Sequence, residues 1–319
     1  MYFMKLKPVG KDYLWGGTKL KVKYGKNINL DPLAETWEFS THPDGLSVID
    51  NGEFRGKTLL EVFKQNPNLF GEKLKSSNDL PILVKFIDAK NKLSVQVHPD
   101  DEYALKNENQ NGKTEMWYVL EAEIGARIVY GFEHDVSPEI IKQSLRDGSI
   151  EKHLHFENVK KGDVFFIPAG MVHGIGEGVV VAEIQENSNV TYRLYDYDRV
   201  DKNGKKRELH IDKALQVLNM NAFKGKIRQD KMITSTPSVL SENVCSCNFF
   251  NIKRYAIKGT LEIYVKDDSF NVLLCVEGNG IIKGQDTFLE IKKGECVLIP
   301  NGFENINVCG SLELLKINC

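Results

Sequence analysis

The chain of 319 residues is predicted to be mainly β, two small barrels with a minority of helices. Apolar runs of strand length are separated by Gly, Asn and Asp turns along most of the sequence. Only four segments carry helical spacing. A strand-turn unit also recurs: at an offset of 132 residues Gly162-Asp163 falls on Gly294-Glu295, Ile167-Pro168 on Ile299-Pro300, and Gly170 on Gly302.

In chain order, Trp15-Gly16-Gly17 and Glu35-x-Trp37-Glu38 read as architecture, with a ring packed over a turn. A helix is predicted over Thr58 to Lys64, strands over Leu83 to Ile87 and Leu93 to Val97, and a helix over Asp101 to Lys106. Next come a strand over Met116 to Leu120, a helix over Ser137 to Arg146 behind a Ser-Pro start, and strands over Val164 to Ile167 and Val179 to Ile184. After a helix over Ile211 to Leu218, the strands Phe249 to Ile257, Val272 to Val276, Cys296 to Ile299 and Leu312 to Ile317 complete the second barrel.

The chemistry concentrates in the first copy of the repeat. In KKGDVFFIPAGMVH a Gly162-Asp163 turn feeds an apolar strand that stops at Pro168-Ala169-Gly170 and delivers His173, aimed inward, to the next strand. Upstream, the two-residue period of a strand puts Ser94, Gln96 and His98 on one face. Glu115, Trp117 and Val119 share a face in the strand that follows, and Glu115 is the carboxylate at its start. The spacing through His173 resembles the second motif of the cupin superfamily, small jelly-roll barrels that hold one divalent metal. This chain has Glu177 where that family has asparagine, and Gln96-x-His98 where it has His-x-His. Two imidazoles, a carboxylate and an amide oxygen suit Zn²⁺ with a position left for water or a substrate oxygen, so one Zn²⁺ per chain is expected. The remaining histidines, including His153-x-His155, read as surface or edge residues.

Six segments taken in order, YLWGGTKL, ETWEFSTHPDGLS, LPILVKFIDAKNKLSVQVHPDDEYA, GKTEMWYVL, FIPAGMVHGIGEG and ENSNVTYRLYDYDR, resemble the type I mannose-6-phosphate isomerases in their short bacterial form. The resemblance implies metal ligands at Gln96, His98, Glu115 and His173 and an active-site arginine at Arg193. It also implies a second basic phosphate ligand at Arg199, whose other reading is an ion pair with Asp196, Asp198 or Asp201, and Ser94 joins it as a substrate-binding candidate because it shares the strand face of Gln96. Aldose-ketose isomerisation moves a proton between C2 and C1 through an enediol-like intermediate, which calls for a base, an acid and a cation. Lys113, two residues before Glu115, and Glu183, behind an apolar run that would bury it, are the proton-shuttle candidates, with acid and base left open; Glu183 reads equally as a catalytic carboxyl raised by burial or as a structural carboxylate paired with a nearby cation. Arg193, permanently charged and forked, suits an oxyanion or phosphate; Thr191, Arg193 and Tyr195 would share a face if that segment is extended. Family members of the long form read His-Lys-Pro-Glu where this chain reads Gly112-Lys113-Thr114-Glu115.

Two other readings use the same barrel. A metal-dependent oxygenase or decarboxylase usually wants three histidines, and Gln96 argues against it. A non-catalytic sugar-phosphate sensor would predict loss of Lys113 or Arg193, and both remain.

The division expected is a metal-binding catalytic domain with helical additions over 1–233 and a metal-free cupin-like domain over 234–319, packed rigidly across a polar connector around 234–243. Asn305 stands where His173 stands in the first copy, so the second copy keeps the scaffold without the ligands. A net charge of −2 gives no call for nucleic acid. No apolar stretch approaches the roughly 20 residues of a membrane span, and the N-terminus lacks a signal-peptide pattern. A cytoplasmic protein acting on a small sugar phosphate is expected, its oligomeric state open. Six cysteines, all from Cys245 onward, are read as reduced thiols.

Overall fold

The computed structural model describes residues 1–201, 203–225, 233–265 and 268–319. It is mainly β, with three sheets. A six-stranded sheet runs in the order Val164–Ile167, Glu115–Ala122, Val179–Glu186, Ile82–Ala89, Glu35–Phe39, Val9–Lys11. A five-stranded sheet runs Tyr192–Tyr195, Val95–Val97, His173–Gly174, Arg127–Phe132, Leu154–Asn158. The third, nine-stranded sheet is built on the long strands Asn251–Tyr264, Asn305–Asn318 and Asn271–Lys283.

The strand Val179–Glu186 shows how the layers are stacked. Its residues alternate: Val180, Ala182 and Ile184 join the core shared with the nine-stranded sheet, whereas Val179 and Val181 join the core shared with the five-stranded sheet. Buried on both faces, such a strand reads as a continuous apolar run rather than an alternating one, which is why VVVAEI resembled a core segment. Glu183 and Gln185 follow the Val181 face inward. The nine-stranded sheet encloses its own core of Leu273, Val297, Ile306 and Leu314, and the helices cover the outer side of the five-stranded sheet through Ile141 and Ala214.

The repeat is realised in backbone geometry. Strands Val164–Ile167 and Cys296–Ile299 occupy the predicted positions, and each is preceded by a glycine with φ of 88°, Gly162 and Gly294. Each of these glycine N–H groups donates to the strand beside it, to Val119 O and to Cys275 O respectively. Asn305 is exposed, so the second copy brings no ligand inward at that position.

Helix starts follow the sequence signals. Thr58 and Glu61 form a reciprocal capping box, and Ser137 caps Pro138–Arg146. Two expectations need correction, and one helix went unread. The strand expected from Leu93 begins at Val95. The lysine-rich helix Lys19–Tyr24, six residues with Leu20 and Tyr24 buried, carried too short a pattern to read. The stretch read as a polar connector, 234–243, lies largely in the paired strands Ile233–Ser235 and Val239–Ser246. N-terminal strands Met4–Lys7 and Val48–Ile49 moreover extend the nine-stranded sheet of the C-terminal half. All six cysteines are free thiols. Among the described residues no helix is long and apolar enough to cross a membrane.

Candidate metal centre and active site

The central strand Val95–Val97 places Gln96 directly opposite His173 on one side and Arg193 on the other. Directly paired residues share a face, so the three side chains line up across the five-stranded sheet. Across the interior, Glu115, which pairs with Gln185, starts its strand, and two residues on Trp117 pairs with Glu183, which in turn pairs with Lys85. Two sheets thus present one row of polar groups each to a shared interior.

At the floor of that interior, His98, Glu115 and His173 are buried and offer ligand atoms that all lie within 4.8 Å of one another. His98 Nε2 is 3.5 Å from Glu115 Oε2, and His173 Nε2 is 3.4 Å from Glu115 Oε1. The Nδ1 atoms are committed elsewhere, that of His98 to Val190 O and that of His173 to Met171 O, both at 2.8 Å. With those tautomers the Nε2 lone pairs point at the carboxylate, the arrangement that metal-ligating histidines adopt. Glu115 Oε1 accepts no hydrogen bond among the described residues, and a buried carboxylate oxygen without a donor is costly unless a cation completes it. This donor set fits a divalent metal. Gln96 belongs to the same row, and its Oε1 accepts from Ser94 Oγ at 3.2 Å.

Electrostatics agree with a cation site. Burial, with the Lys113 charge and then His173 adding to it, holds His98 well below its ordinary value; burial brings His173 down to about 4, so both rings are neutral and able to ligate. Burial, reinforced by the charge of Glu183, raises Glu115 to about 7. The Lys113 ammonium lies against the very atoms a cation would use, hydrogen-bonded to Glu115 Oε2 and 3.1 Å from His98 Nε2.

Glu183 is buried as expected, and of its two readings the carboxylate paired with cations is the one its surroundings match, not the carboxyl raised by burial. Burial alone would raise it; the ammonium groups of Lys113 and Lys85, with Trp117 Nε1 donating at 2.9 Å, bring it down to about 2. Lys85 Nζ sits 3.0 Å and Lys113 Nζ 3.8 Å from Glu183 Oε1. An apolar run ahead of a carboxylate gives no sign of two lysines arriving from neighbouring strands.

On the other side of Lys113 opens a polar cavity of about 250 Å³, near the lower end of the ~300–1,000 Å³ typical of small-molecule sites. Ser94, Gln96, Lys113, Glu183 and Arg193 all line it. Thr191 joins them, but a register shift between Arg193 and Tyr195 turns Tyr195 onto the outer core. Arg199 does not line the cavity; its guanidinium bonds to Asp196 and to Lys92 O.

Sequence reasoning missed Tyr13, Trp15, Glu35, Lys85, Asn189 and Arg207 as cavity residues. Two had a signal. Lys85 is the lone basic residue in the buried strand ILVKFIDA, and Glu35, placed with the architecture, accepts from Trp37 Nε1 at 2.8 Å while facing the cavity. Arg207 sits in a charged loop where nothing distinguishes it from its neighbours.

Residues 3–126 match the family profile of the phosphomannose isomerase type I catalytic domain, and residues 241–319 that of the mannose-6-phosphate isomerase cupin domain. The mannose-6-phosphate isomerase of Streptococcus mutans is 35% identical over 95% of this chain and 93% of its own. ManA of Bacillus subtilis, a mannose-6-phosphate isomerase, is 36% identical over 97% of this chain and 96% of its own. The crystal structure of mannose 6-phosphate isomerase from Bacillus subtilis superposes with a TM-score of 0.93 at 33% identity, covering 99% of both chains. Phosphomannose isomerase from Salmonella typhimurium, at 17% identity and a TM-score of 0.75, shares the fold. With relatives this similar over nearly their whole length, and both profiles in order along the sequence, the chain belongs to the type I mannose-6-phosphate isomerase family.

Proposed function

We propose that the chain interconverts mannose 6-phosphate and fructose 6-phosphate through an enediol-like intermediate at a zinc site formed by Gln96, His98, Glu115 and His173. The observation that carries this reading is the buried triangle of His98, Glu115 and His173, joined through Lys113 to a cavity that Gln96, Glu183 and Arg193 also line. When bound, Zn²⁺ would supply Lewis-acid polarisation of the sugar oxygens. The acceptor-rich donor set and the missing third imidazole favour this over an oxygenase.

The chain's own residues divide the remaining work. On going from aldose to ketose, Lys113 first gives up its own proton to solvent through the cavity; a proton then leaves C2 for the free amine, and the C–H electron pair forms the C1–C2 double bond while O1 takes up the charge. A second proton passes from O2 to O1, and return of the first proton to C1 leaves the carbonyl at C2. Lys113 lines the cavity beside Glu115 and His98. Glu183, held charged by Lys85 and Trp117, anchors Lys113 and balances the positive charge that proton transfer creates. Arg193 stabilises the developing oxyanion or the phosphate by its fork. Ser94 fixes the Gln96 amide, and Arg199 adds positive charge at the same end through Asp196.

A coupled assay with mannose 6-phosphate decides the matter. Metal-stripped protein is expected to be inactive and to recover with Zn²⁺, and Arg193→Ala is expected to remain poorly active with metal present. Activity that survives both treatments rules the mechanism out.

A further inference from the structure

Two arginines, Arg193 and Arg207, line the cavity, and behind Arg207 lies an acid, Asp196, that a third, Arg199, also holds. Asp196, buried between them, accepts from Arg199 Nη2 and from Arg207 Nε at 2.8 Å and Nη2 at 2.5 Å. Arg193 is close enough that the charges of both Arg207 and Arg199, after burial, act to lower its pKa. Burial opposes it, yet the two arginine partners keep Asp196 below its usual range, so its charge is permanent near neutrality. Two guanidinium groups therefore share one carboxylate with the third close by, and the nearby Asp198 is already paired with Lys206 at 2.6 Å.

A count of donors separates the three arginines. Arg199 has a partner at every nitrogen: Nε bonds to Asp196 O, Nη1 to Lys92 O and Nη2 to Asp196 Oδ1, with the plane over the Tyr197 ring. Arg193 spends Nη1 on Glu208 O at 2.6 Å, and its buried Nε has no partner among the described residues. Arg207 spends Nε and Nη2 on Asp196 and keeps Nη1 free of any hydrogen bond among the described residues. Of the two arginines bracketed by Asp196, Arg207 lines the cavity and Arg199 does not.

We propose that Arg207 is the second guanidinium that grips the substrate phosphate beside Arg193, with Asp196 as its bracket and Arg199 as a positioning residue that acts through Asp196. The assignment deepens the isomerase reading and rests on it for the identity of the substrate. An arginine whose fork is fixed on one side by a buried carboxylate presents its remaining N–H groups in a set direction, which suits a planar, charge-assisted contact to a phosphate oxygen. Thr191 and Ser94 supply neutral hydroxyls nearby in the same lining.

The test uses the full chain, steady-state kinetics with mannose 6-phosphate, and calorimetric titration with inorganic phosphate. Loss of one charge-assisted contact predicts that Arg207→Ala raises KM roughly tenfold or more, by a larger factor than it lowers kcat, with a matching loss of phosphate affinity. Arg207→Lys, which keeps the charge without the fork, should fall between. Arg199→Ala should lower the thermal midpoint and weaken phosphate binding less than Arg207→Ala does. Wild-type phosphate affinity in both Arg207 variants overturns the assignment, and so does an Arg199→Ala effect as large as that of Arg207→Ala. Should Arg207→Ala fail to melt cooperatively, the lysine variant decides. A wild-type chain that isomerises neither sugar phosphate would refute the activity, while the phosphate titration would still judge Arg207.

Discussion

Glu115 is the residue on which the candidate metal centre turns, because each of its oxygens faces a neutral imidazole nitrogen and one has no donor of its own. Replacing it with glutamine keeps the shape but removes the charge. Zinc affinity is then expected to fall by roughly 10- to 100-fold or more, the scale already seen for groups that merely support ligands, as read by competition with a chromophoric chelator. Unchanged affinity would remove Glu115 from the ligand set. A neighbouring carboxylate offers a pH signature away from the metal. Burial raises Glu186 to about 7, against hydrogen bonding from Thr114 N at 2.6 Å that pulls the other way. Its folded pKa lies above the unfolded value, so the folded state keeps a proton the unfolded chain has lost. This contribution to stability is therefore full below about pH 4.5, shrinks as pH rises, and is gone above about pH 7. Glu186→Gln should flatten that slope in melting midpoints measured from pH 5 to 8; parallel curves for the two proteins would contradict it.

Elements explain what was legible and what was not. Strand existence, the repeat and the inward face carrying Gln96, His98, Glu115 and His173 could be read because a two-residue period leaves no freedom about which side chains share a face. The long C-terminal strands were underestimated, since residues such as Glu262 and Tyr264 continue the ladder with exposed side chains and break the apolar pattern. Lys85 and Arg207 were missed because partners from other strands and loops, not neighbours in sequence, bring them to the cavity. The two turn glycines test the element directly. Both have φ of 88°, which by itself costs a side-chain-bearing residue ~1–2 kcal/mol. A Cβ on Gly162 would meet open space, whereas one on Gly294 would lie 2.1 Å from Tyr24 O. Gly162→Ala should lose stability by about that backbone amount, and Gly294→Ala by clearly more, in denaturant titrations of the whole chain. Equal losses would mean that the contact with Tyr24 is not held in solution.

At the scale of the molecule, the two halves share a core and a sheet. Phe39, Phe86, Met116 and Ile184 pack with Phe250, Phe270, Leu274 and Leu315, and the Phe39 and Phe270 rings stack at 5.2 Å. Lys26 completes the seam: buried, it bonds to Glu38 at 2.6 Å and to the carbonyl of Gly294 in the far half. Removing one partner of such a buried pair typically costs ~3–5 kcal/mol because the other charge is left alone. The proposed site residues all lie in the first 210 positions, yet the strand that carries Glu183 is walled on its outer face by the C-terminal sheet. A fragment of residues 1–233 would expose that wall and leave Met4–Lys7 without its partner Cys296–Ile299. The full chain is accordingly expected to unfold in one calorimetric transition, and the fragment to show none or to aggregate. A soluble fragment with its own sharp transition would establish instead that the half holding the candidate metal centre folds alone, and that the C-terminal half only covers it.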